Sequence, residues 1–446
     1  MKEEIEPKEP AEVRESAKQV GEIQDRWSWV EGTIWTARML ATLEQGVKGG
    51  KWFSLIDKVY AEGTLRKAFA KVKANKGGAG VDHQTIEMYE RELEGNLRKL
   101  SQEIRDRSYR PAAVRRVWIP KPGSREKRPL GIPTVRDRVV QGALRLVIEP
   151  IFEQIFMPQS YGFRPRRGAK DALRQVDDLL NRGYSHIVDI DLKSYFDTIS
   201  HPKLMAQVTE QITDGRVLEL IAKLLAQGVL DEMKGWEAEE SELGTPQGGV
   251  ISPLLANLYL HPLDVKMASQ GWALVRYADD AVVLCRSQEE AETALRDIAE
   301  WVEEAELKLH PEKTKVVTAD EGFEFLGYHF KRGNKFPRQK SLKKFKTQLK
   351  SLTRRNNGNS LTAIIHKLNP RLRGWYEYFK HSHRNVMGNM DAWVRGRLRG
   401  ILRRRRGGRG RGRGSDHQCW PNEFFRAAGL FSLVNARVQN SQSPPG

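Results

Sequence analysis

The sequence predicts an α+β protein, and three features carry that prediction. Two strand-like runs, "HIVDIDL" and "VRYADDAVVLC", are rich in β-branched residues and carry acids at fixed points. Around them, stretches such as "VRDRVVQGALRLVIEPIFEQIF" repeat apolar residues at helical spacing. Past Lys331 the composition shifts: eleven basic residues and no acid lie between Lys331 and Arg355. Strands alternating with helices form a mixed core, and a basic, mainly helical region follows it.

In chain order, the first fifty residues are polar, then acquire Trp27, Trp29, Trp35 and Trp52, which reads as a flexible lead followed by a segment that packs on something. "LRKAFAKVKANKGGAGVD" reads as a basic amphipathic helix ended at the Gly77-Gly78 turn. Between Ala112 and Pro133, β-type residues flank a Pro/Gly loop with Lys121, Arg125, Lys127 and Arg128, giving strand, basic loop and extended segment. In the run from Ile187, Val188, Ile190 and Leu192 make one apolar face while the other ends in Asp189 and Asp191. "GTPQGGVISPLLANLYL" is a Gly/Pro-rich loop entering a helix. Ser287 and Glu290 make a capping box, with Leu295, Ile298, Val302 and Leu309 at helical spacing after it.

In the basic region, Leu342, Phe345, Leu349 and Leu352 keep an apolar stripe on a cationic helix. "LNPRLRGWYEYFKHSH" interleaves arginines with Trp375, Tyr376, Tyr378 and Phe379. Arg395 to Gly414 holds ten arginines without an acid and ends in "GGRGRGRG", expected to be disordered until it meets a polyanion.

The whole chain of 446 residues carries a net charge of +18, which points to a polyanionic partner. No apolar run reaches the roughly 20 residues of a membrane-spanning helix, and the polar, acid-containing start does not read as a signal peptide, so a cytoplasmic protein without a membrane partner is expected. Cys285 and Cys419 are too far apart in sequence for a disulfide framework or a paired-cysteine zinc site. Cys285, at the end of an apolar run, reads as a buried small hydrophobe, and His417 with Cys419 falls short of a metal site.

Asp279 and Asp280 stand side by side where a hairpin should bend, although each carboxylate resists ionising beside the other. Something positive is expected there. If the two acid-bearing strands are neighbours, Asp191, Asp279 and Asp280 converge at one sheet edge as hard oxygen ligands that suit Mg²⁺. Two such ions, about 3.5–4 Å apart, would activate an attacking hydroxyl and stabilise a leaving pyrophosphate. Taken alone, "YADD" is more often a simple turn, and Asp189 competes with Asp191 because a two-residue step keeps the face.

The order of the motifs resembles one family. "DIDLKSYFD", "GTPQGGVISPLLANLYL", "YADD", "LKLHPEKTKVV" and "FEFLGYHF" follow one another as do the palm motifs of reverse transcriptases. Upstream, "IPKPGSREKRPLGIP" and "SYGFRPRRGAKDAL" look like their fingers motifs. With "LNPRLRGWYEYF" as a thumb or maturase signature and the ending "DHQCWPNEFFRAAGLFSL", the chain resembles the bacterial group II intron-encoded reverse transcriptase/maturases. The resemblance covers roughly Gly63 to Arg406.

It implies a right-hand polymerase of fingers, palm and thumb with a mainly helical thumb/maturase domain. The implied division is an N-terminal extension at 1–62, fingers and palm at 63–335, thumb/maturase domain at 336–406, and a basic linker and tail at 407–446. Asp191, Asp279 and Asp280 match the catalytic acids, holding two Mg²⁺ ions. The resemblance puts Lys121, Arg128, Phe196, Gln247, Gly248 and Lys313 at the nucleotide: Lys121 and Arg128 on the triphosphate, Phe196 as the gate against a 2′-hydroxyl, Gln247 and Gly248 lining the pocket, and Lys313 protonating pyrophosphate. Phe325, Leu326, Gly327 and Tyr328 match the primer grip. Arginines interleaved with aromatics suit RNA, and Arg371, Arg373, Tyr376, Lys343 and Lys344 are the residues assigned to it.

The implied function is RNA-directed DNA synthesis coupled to binding of a parent group II intron RNA for splicing and retrohoming. The implied partners are that RNA, an RNA template, a DNA primer or target and deoxynucleoside triphosphates, with pairing of two copies left open. Without the cysteines of the family's HNH endonuclease domain, second-strand cleavage is not expected. The competing readings are an RNA-binding splicing factor without enzymatic activity and a domesticated reverse transcriptase serving DNA repair or phage defence.

Overall fold

The computed structural model describes residues 25–47, 49–120, 127–231, 243–245, 248–356, 358–412 and 414–442. The chain forms two compact units. Of the described residues, the first takes 25–120, 127–176 and 188–315, and the second takes 177–187 and 316–442. Motif order divides the chain after residue 335, whereas compactness divides it inside a strand.

In the first unit, strands β1 (Val114–Pro120) and β2 (Lys127–Ile132) form an antiparallel ribbon with Ile119 opposite Arg128. The basic loop between them, with Lys121, lies outside the described residues. The acid-bearing run forms β3 (His186–Asp191), in which Ile187, Val188 and Ile190 are buried while Asp189 and Asp191 are half-buried. A short β4 (Val229–Asp231) runs parallel to β1, completing a sheet of order β2-β1-β4. Next come β5 (Ala273–Tyr277) and β6 (Asp280–Cys285), an antiparallel hairpin, then β7 (Lys315–Thr318), and the sheet order is β5-β6-β3-β7. The hairpin therefore stands beside the strand that ends in Asp191.

The core of this unit is the Val135–Ile155 helix, buried on nearly every side despite Pro150 within it. The Glu62–Asn75 helix lies against it so closely that a Cβ on Gly142 would sit 3.2 Å from the Cβ of Ala68. That helix stops at Lys76, in the left-handed region at φ 49°, and not at a glycine. Arg138 reaches across Gly77 to donate to the carbonyl of Gly78 at 2.6 Å, and a Cβ there would have to displace the guanidinium. The tryptophan-rich segment does pack. Trp35 is buried and donates through Nε1 to the Leu146 carbonyl at 3.2 Å, with Trp52 edge-on at 5.2 Å.

The Gln288–Glu304 helix starts at Ser287, whose Oγ accepts from the Glu290 amide, but the Glu290 carboxylate reaches past the cap to the amide of Arg286. Leu309 lies beyond this helix and bridges to Leu192.

The second unit carries β8 (Phe323–Phe325), β9 (Tyr328–Lys331) and β10 (Asn334–Pro337) in sheet order β10-β9-β8, followed by helices Gln339–Leu352, Leu361–Phe379 and Arg384–Arg405. Phe345 and Leu349 form the buried seam of the first helix, and Trp375 stacks on Phe345 at 5.0 Å. The expected disordered arginine stretch is corrected for its described part. Residues 395–405 continue a helix, and Gly408 turns back so that its amide donates to the Arg403 carbonyl at 2.9 Å. Arg399 is buried and donates to the Trp420 carbonyl at 2.9 Å and to Asn422 at 3.0 Å, while Arg403 pairs with Asp416 at 2.7 Å. The C-terminal segment supplies these acceptors, which is why the arginines fold. Among the described residues, no helix is long and apolar enough to cross a membrane.

Candidate active site

The β5–β6 hairpin closes with Tyr277 opposite Asp280, so Ala278 and Asp279 alone form the turn and Asp280 opens β6 in an exposed position. Ala278 adopts φ 58°, left-handed backbone usually left to glycine at such turns. What holds it there lies beneath. Arg276, 1% exposed, donates from Nη1 to the Ala278 carbonyl at 2.9 Å and to Asn257 Oδ1 at 3.1 Å. Its Nε and Nη2 clamp both oxygens of the fully buried Asp264 at 2.7 and 2.5 Å. Burial works against the Arg276 charge, but Asp264 more than offsets it, and the guanidinium pKa is held above its ordinary value.

A second brace comes from the "SYGFRP" segment. The Tyr161 amide donates to the Arg276 carbonyl at 2.8 Å, and the Arg276 amide donates to the Gln159 carbonyl at 2.9 Å. Gly162 lies so tightly on the turn that a Cβ would come within 2.3 Å of the Ala278 nitrogen, and Asn257 Nδ2 donates to its carbonyl at 2.6 Å.

Burial raises the Asp279 carboxyl above its ordinary pKa, the Asp191 charge adds to this, and Arg276 pulls the other way. The electrostatic neighbour of Asp279 is thus Asp191, across the β3–β6 pair, which bears on the choice between Asp189 and Asp191. Two cationic side chains lie beside these acids: Arg276 below the turn, and Lys313, whose Nζ lies 3.1 and 3.0 Å from the two Asp191 oxygens. The Lys313 side chain is 58% exposed, so this pair contributes at most about 1 kcal/mol.

Phe196 is half-buried on the short Tyr195–Thr198 helix, edge-on to Tyr195 at 5.4 Å. Its carbonyl accepts from the Thr245 amide at 2.7 Å, and Gly244 fits against the Phe196 and Asp197 backbone where a Cβ would not. A cavity of about 280 Å³ opens here, lined by Arg116, Trp118, Gly131 and Asp197 among others. Gly248, at φ 118°, approaches β2 so closely that a Cβ would lie 2.2 Å from the Gly131 carbonyl oxygen. Arg128 is exposed on β2. Gln247, like Lys121, lies outside the described residues.

In the second unit, Leu326 (φ 46°) and Gly327 (φ 82°) form a two-residue turn between the paired Phe325 and Tyr328. Two left-handed residues in succession are the type I′ signature. Phe325 and Tyr328 are buried, and the half-buried turn is held through its carbonyls, Leu326 by the Tyr378 hydroxyl at 2.7 Å and Gly327 by the Arg338 amide at 2.9 Å. Lys343, Lys344, Arg371 and Arg373 are exposed. Tyr376 is a correction: it is 2% exposed, packed on Phe431 and bonded through its hydroxyl to Asn440 at 3.0 Å, so its ring is not free to stack on a base.

Sequence reasoning missed Arg276, Asp264 and Asn257. The signal was an arginine in an apolar strand and an aspartate in an apolar helix, two charges that burial obliges to pair.

A sheet edge bearing acids on a central strand and on the adjoining hairpin turn, flanked by a cationic two-stranded ribbon, defines the palm and fingers of a right-hand polymerase. Residues 119–330 match the reverse transcriptase (RNA-dependent DNA polymerase) family, and residues 342–420 match the group II intron, maturase-specific domain. The chain is 35% identical over 341 residues to Protein YkfC of Escherichia coli K12, covering 67% of this chain and 88% of that protein. It is 38% identical over 199 residues to the group II intron-encoded protein LtrA of Lactococcus lactis, covering 44% of this chain but 32% of LtrA. A telomerase structure from Candida albicans aligns with a TM-score of 0.40 at 15% identity over 70% of this chain and 63% of that one, too loosely to bear on function. The chain belongs to the bacterial group II intron-encoded reverse transcriptase/maturase family.

Proposed function

We propose that the chain is an RNA-directed DNA polymerase that extends a primer with deoxynucleoside triphosphates and binds its parent group II intron RNA to assist splicing and retrohoming. The observation that carries the catalytic part is the coupling of Asp279 to Asp191 over a turn fixed by the Arg276–Asp264 pair. Among the described residues, no three His, Cys, Asp or Glu side chains close into a ready metal cage. Mg²⁺ is commonly held by one or two carboxylates, with water and substrate phosphates completing its shell. The donor set therefore fits an ion that arrives with its nucleotide.

Asp191, Asp279 and Asp280 would hold two Mg²⁺ ions. Such ions lower the pKa of an attacking hydroxyl and neutralise charge on the leaving pyrophosphate. The protein's own groups do the rest. Arg128, with Lys121, draws the triphosphate by a planar fork and a point charge. Phe196, held by its neighbours' backbone contacts, puts a bulky ring under the sugar. Gly248 keeps the loop low against β2, leaving room above it. Lys313 sets its Nζ beside Asp191 as the donor to the departing pyrophosphate. Lys343, Lys344, Arg371 and Arg373 neutralise intron phosphates, the term that dominates affinity for a polyanion.

The test is primer extension on an RNA template with Mg²⁺ and deoxynucleotides, comparing wild type with Asp279→Asn. DNA from wild type and none from the variant is expected. Absence of product from a wild-type protein that still binds structured RNA tightly would replace the polymerase with a splicing factor.

A further inference from the structure

Phe163 is out of place by ordinary rules. It is a bulky residue at φ 56°, a region that such residues rarely occupy. Its ring is also 46% exposed. Backbone strain of this kind persists only where the surroundings enforce it, and it concentrates at functional positions. The enforcing contacts come from both chain neighbours: Arg164 is buried and donates to the Ser160 carbonyl at 2.8 Å and to Glu153 at 2.7 Å. Gly162 is wedged against the Ala278 backbone, its carbonyl is held by Asn257, and Tyr161 is bonded to the Arg276 strand. These leave the Phe163 ring outside, tilted 44° to the Tyr277 ring at 6.2 Å. Tyr277 immediately precedes the turn that carries Asp279.

We propose that Phe163 and Tyr277 form an aromatic seat for the 3′-terminal nucleoside of the primer strand, with Phe163 as a positioning residue for the reaction. The proposal rests on the polymerase reading and adds a residue to it. The chemistry selects the occupant. The two aromatic faces offer stacking and apolar contact, and the arginines that follow Phe163 are engaged elsewhere, Arg164 with Glu153, Arg166 with the Asp25 carbonyl and Arg167 with the Pro158 carbonyl, so the seat suits a base and sugar and not a triphosphate, whose charge calls for groups such as Arg128. The seat also shares its turn with Asp279, so what rests on it is the strand whose hydroxyl must reach the carboxylates. An anchor held by both of its chain neighbours keeps that hydroxyl in place at small entropic cost, because its ring is already oriented.

The test uses the full chain with Phe163→Gly and Phe163→Tyr. Glycine accepts φ 56° without strain, which offsets the added freedom it gives the unfolded chain, so Phe163→Gly should fold and melt close to wild type. Affinity for a fluorescein-labelled DNA primer annealed to an RNA template, read by anisotropy, should fall about five- to a hundredfold, the range for removal of one base–aromatic stack. The KM for the deoxynucleotide and the affinity for a blunt RNA hairpin should stay within about twofold, and Phe163→Tyr should restore primer binding, since a stacking face is all the seat requires.

Phe163→Gly that binds and extends the primer as wild type does would overturn the proposal. So would a loss confined to the deoxynucleotide KM, or a lowered melting temperature in both variants without rescue by tyrosine. If wild type itself makes no DNA, the polymerase reading fails, while the anisotropy comparison still decides whether Phe163 seats a recessed primer end.

Discussion

Replacing Asp264 with asparagine should undo the candidate active site from below. The carboxylate is fully buried and takes two short hydrogen bonds from Arg276, which also donates to Asn257 and to the Ala278 carbonyl in the turn. Asparagine keeps the shape but removes the charge, and its amide nitrogen confronts a guanidinium that can only donate. Breaking one side of a buried pair costs about 3–5 kcal/mol, because the other charge is left uncompensated. For a unit of this size each kcal/mol is worth about 1.5–2 °C, so Asp264→Asn should melt roughly 5–10 °C below wild type. Differential scanning calorimetry of the full chain measures that shift, and primer extension at a temperature where the variant stays folded measures the second consequence, a large loss of DNA synthesis. The double variant Asp264→Leu with Arg276→Met separates the two effects. An apolar pair of similar volume should recover most of the melting temperature, yet it cannot bond the Ala278 carbonyl and should not recover synthesis. The reasoning is refuted if Asp264→Asn melts with wild type, or if the double variant regains synthesis along with stability.

Other outcomes follow from single interactions. Burial pushes the Cys285 thiol up to about 12, so at pH 8 iodoacetamide should label the exposed Cys419 in native protein and reach Cys285 only after unfolding, as peptide mass spectrometry would show. Gly248→Ala sets a Cβ against the Gly131 carbonyl at a left-handed φ, which should cost about 1–3 kcal/mol and raise the KM for deoxynucleotide in steady-state extension. Tyr376→Phe should lose about 1 kcal/mol with its Asn440 bond while leaving affinity for intron RNA unchanged. Arg371→Ala with Arg373→Ala should instead weaken that affinity and flatten its dependence on log salt concentration by about 0.7–0.9 for each phosphate no longer neutralised, measured by filter binding.

The carboxylate turn was legible because it is local: two acids between strand-forming runs specify a hairpin, and a second acid-bearing strand is visible by its alternation. The brace under it was not, since Arg276 finds Asp264 and Asn257 only once a helix packs on the hairpin. Local capping rules also went astray where tertiary contacts decide. The Glu62–Asn75 helix ends on Lys76, one residue before the glycine pair, and Arg138 passes over Gly77. Tyr376 looked like a stacking residue because arginines surround it in sequence, but helical geometry turns it inward while Arg371 and Arg373 face out. Composition alone made the arginine stretch a disordered tail, and it could not show that the following segment supplies carbonyl and carboxylate partners.

Those partners change what the chain's charge can do. Of the arginines beyond Arg395, Arg399 is sealed beneath Trp420 and Asn422, Arg403 is neutralised by Asp416, and Arg397 spends its donors on Thr353. Counting cations in the sequence therefore overstates the footprint that a nucleic acid would meet. Arg399 and Arg403 act as mortar for the C-terminal segment and Arg397 for the end of the Gln339–Leu352 helix, so a polyanion that competes for the first two would have to loosen the C-terminal segment first. Ion release on binding and the order of the C-terminus would then be one coupled event instead of two.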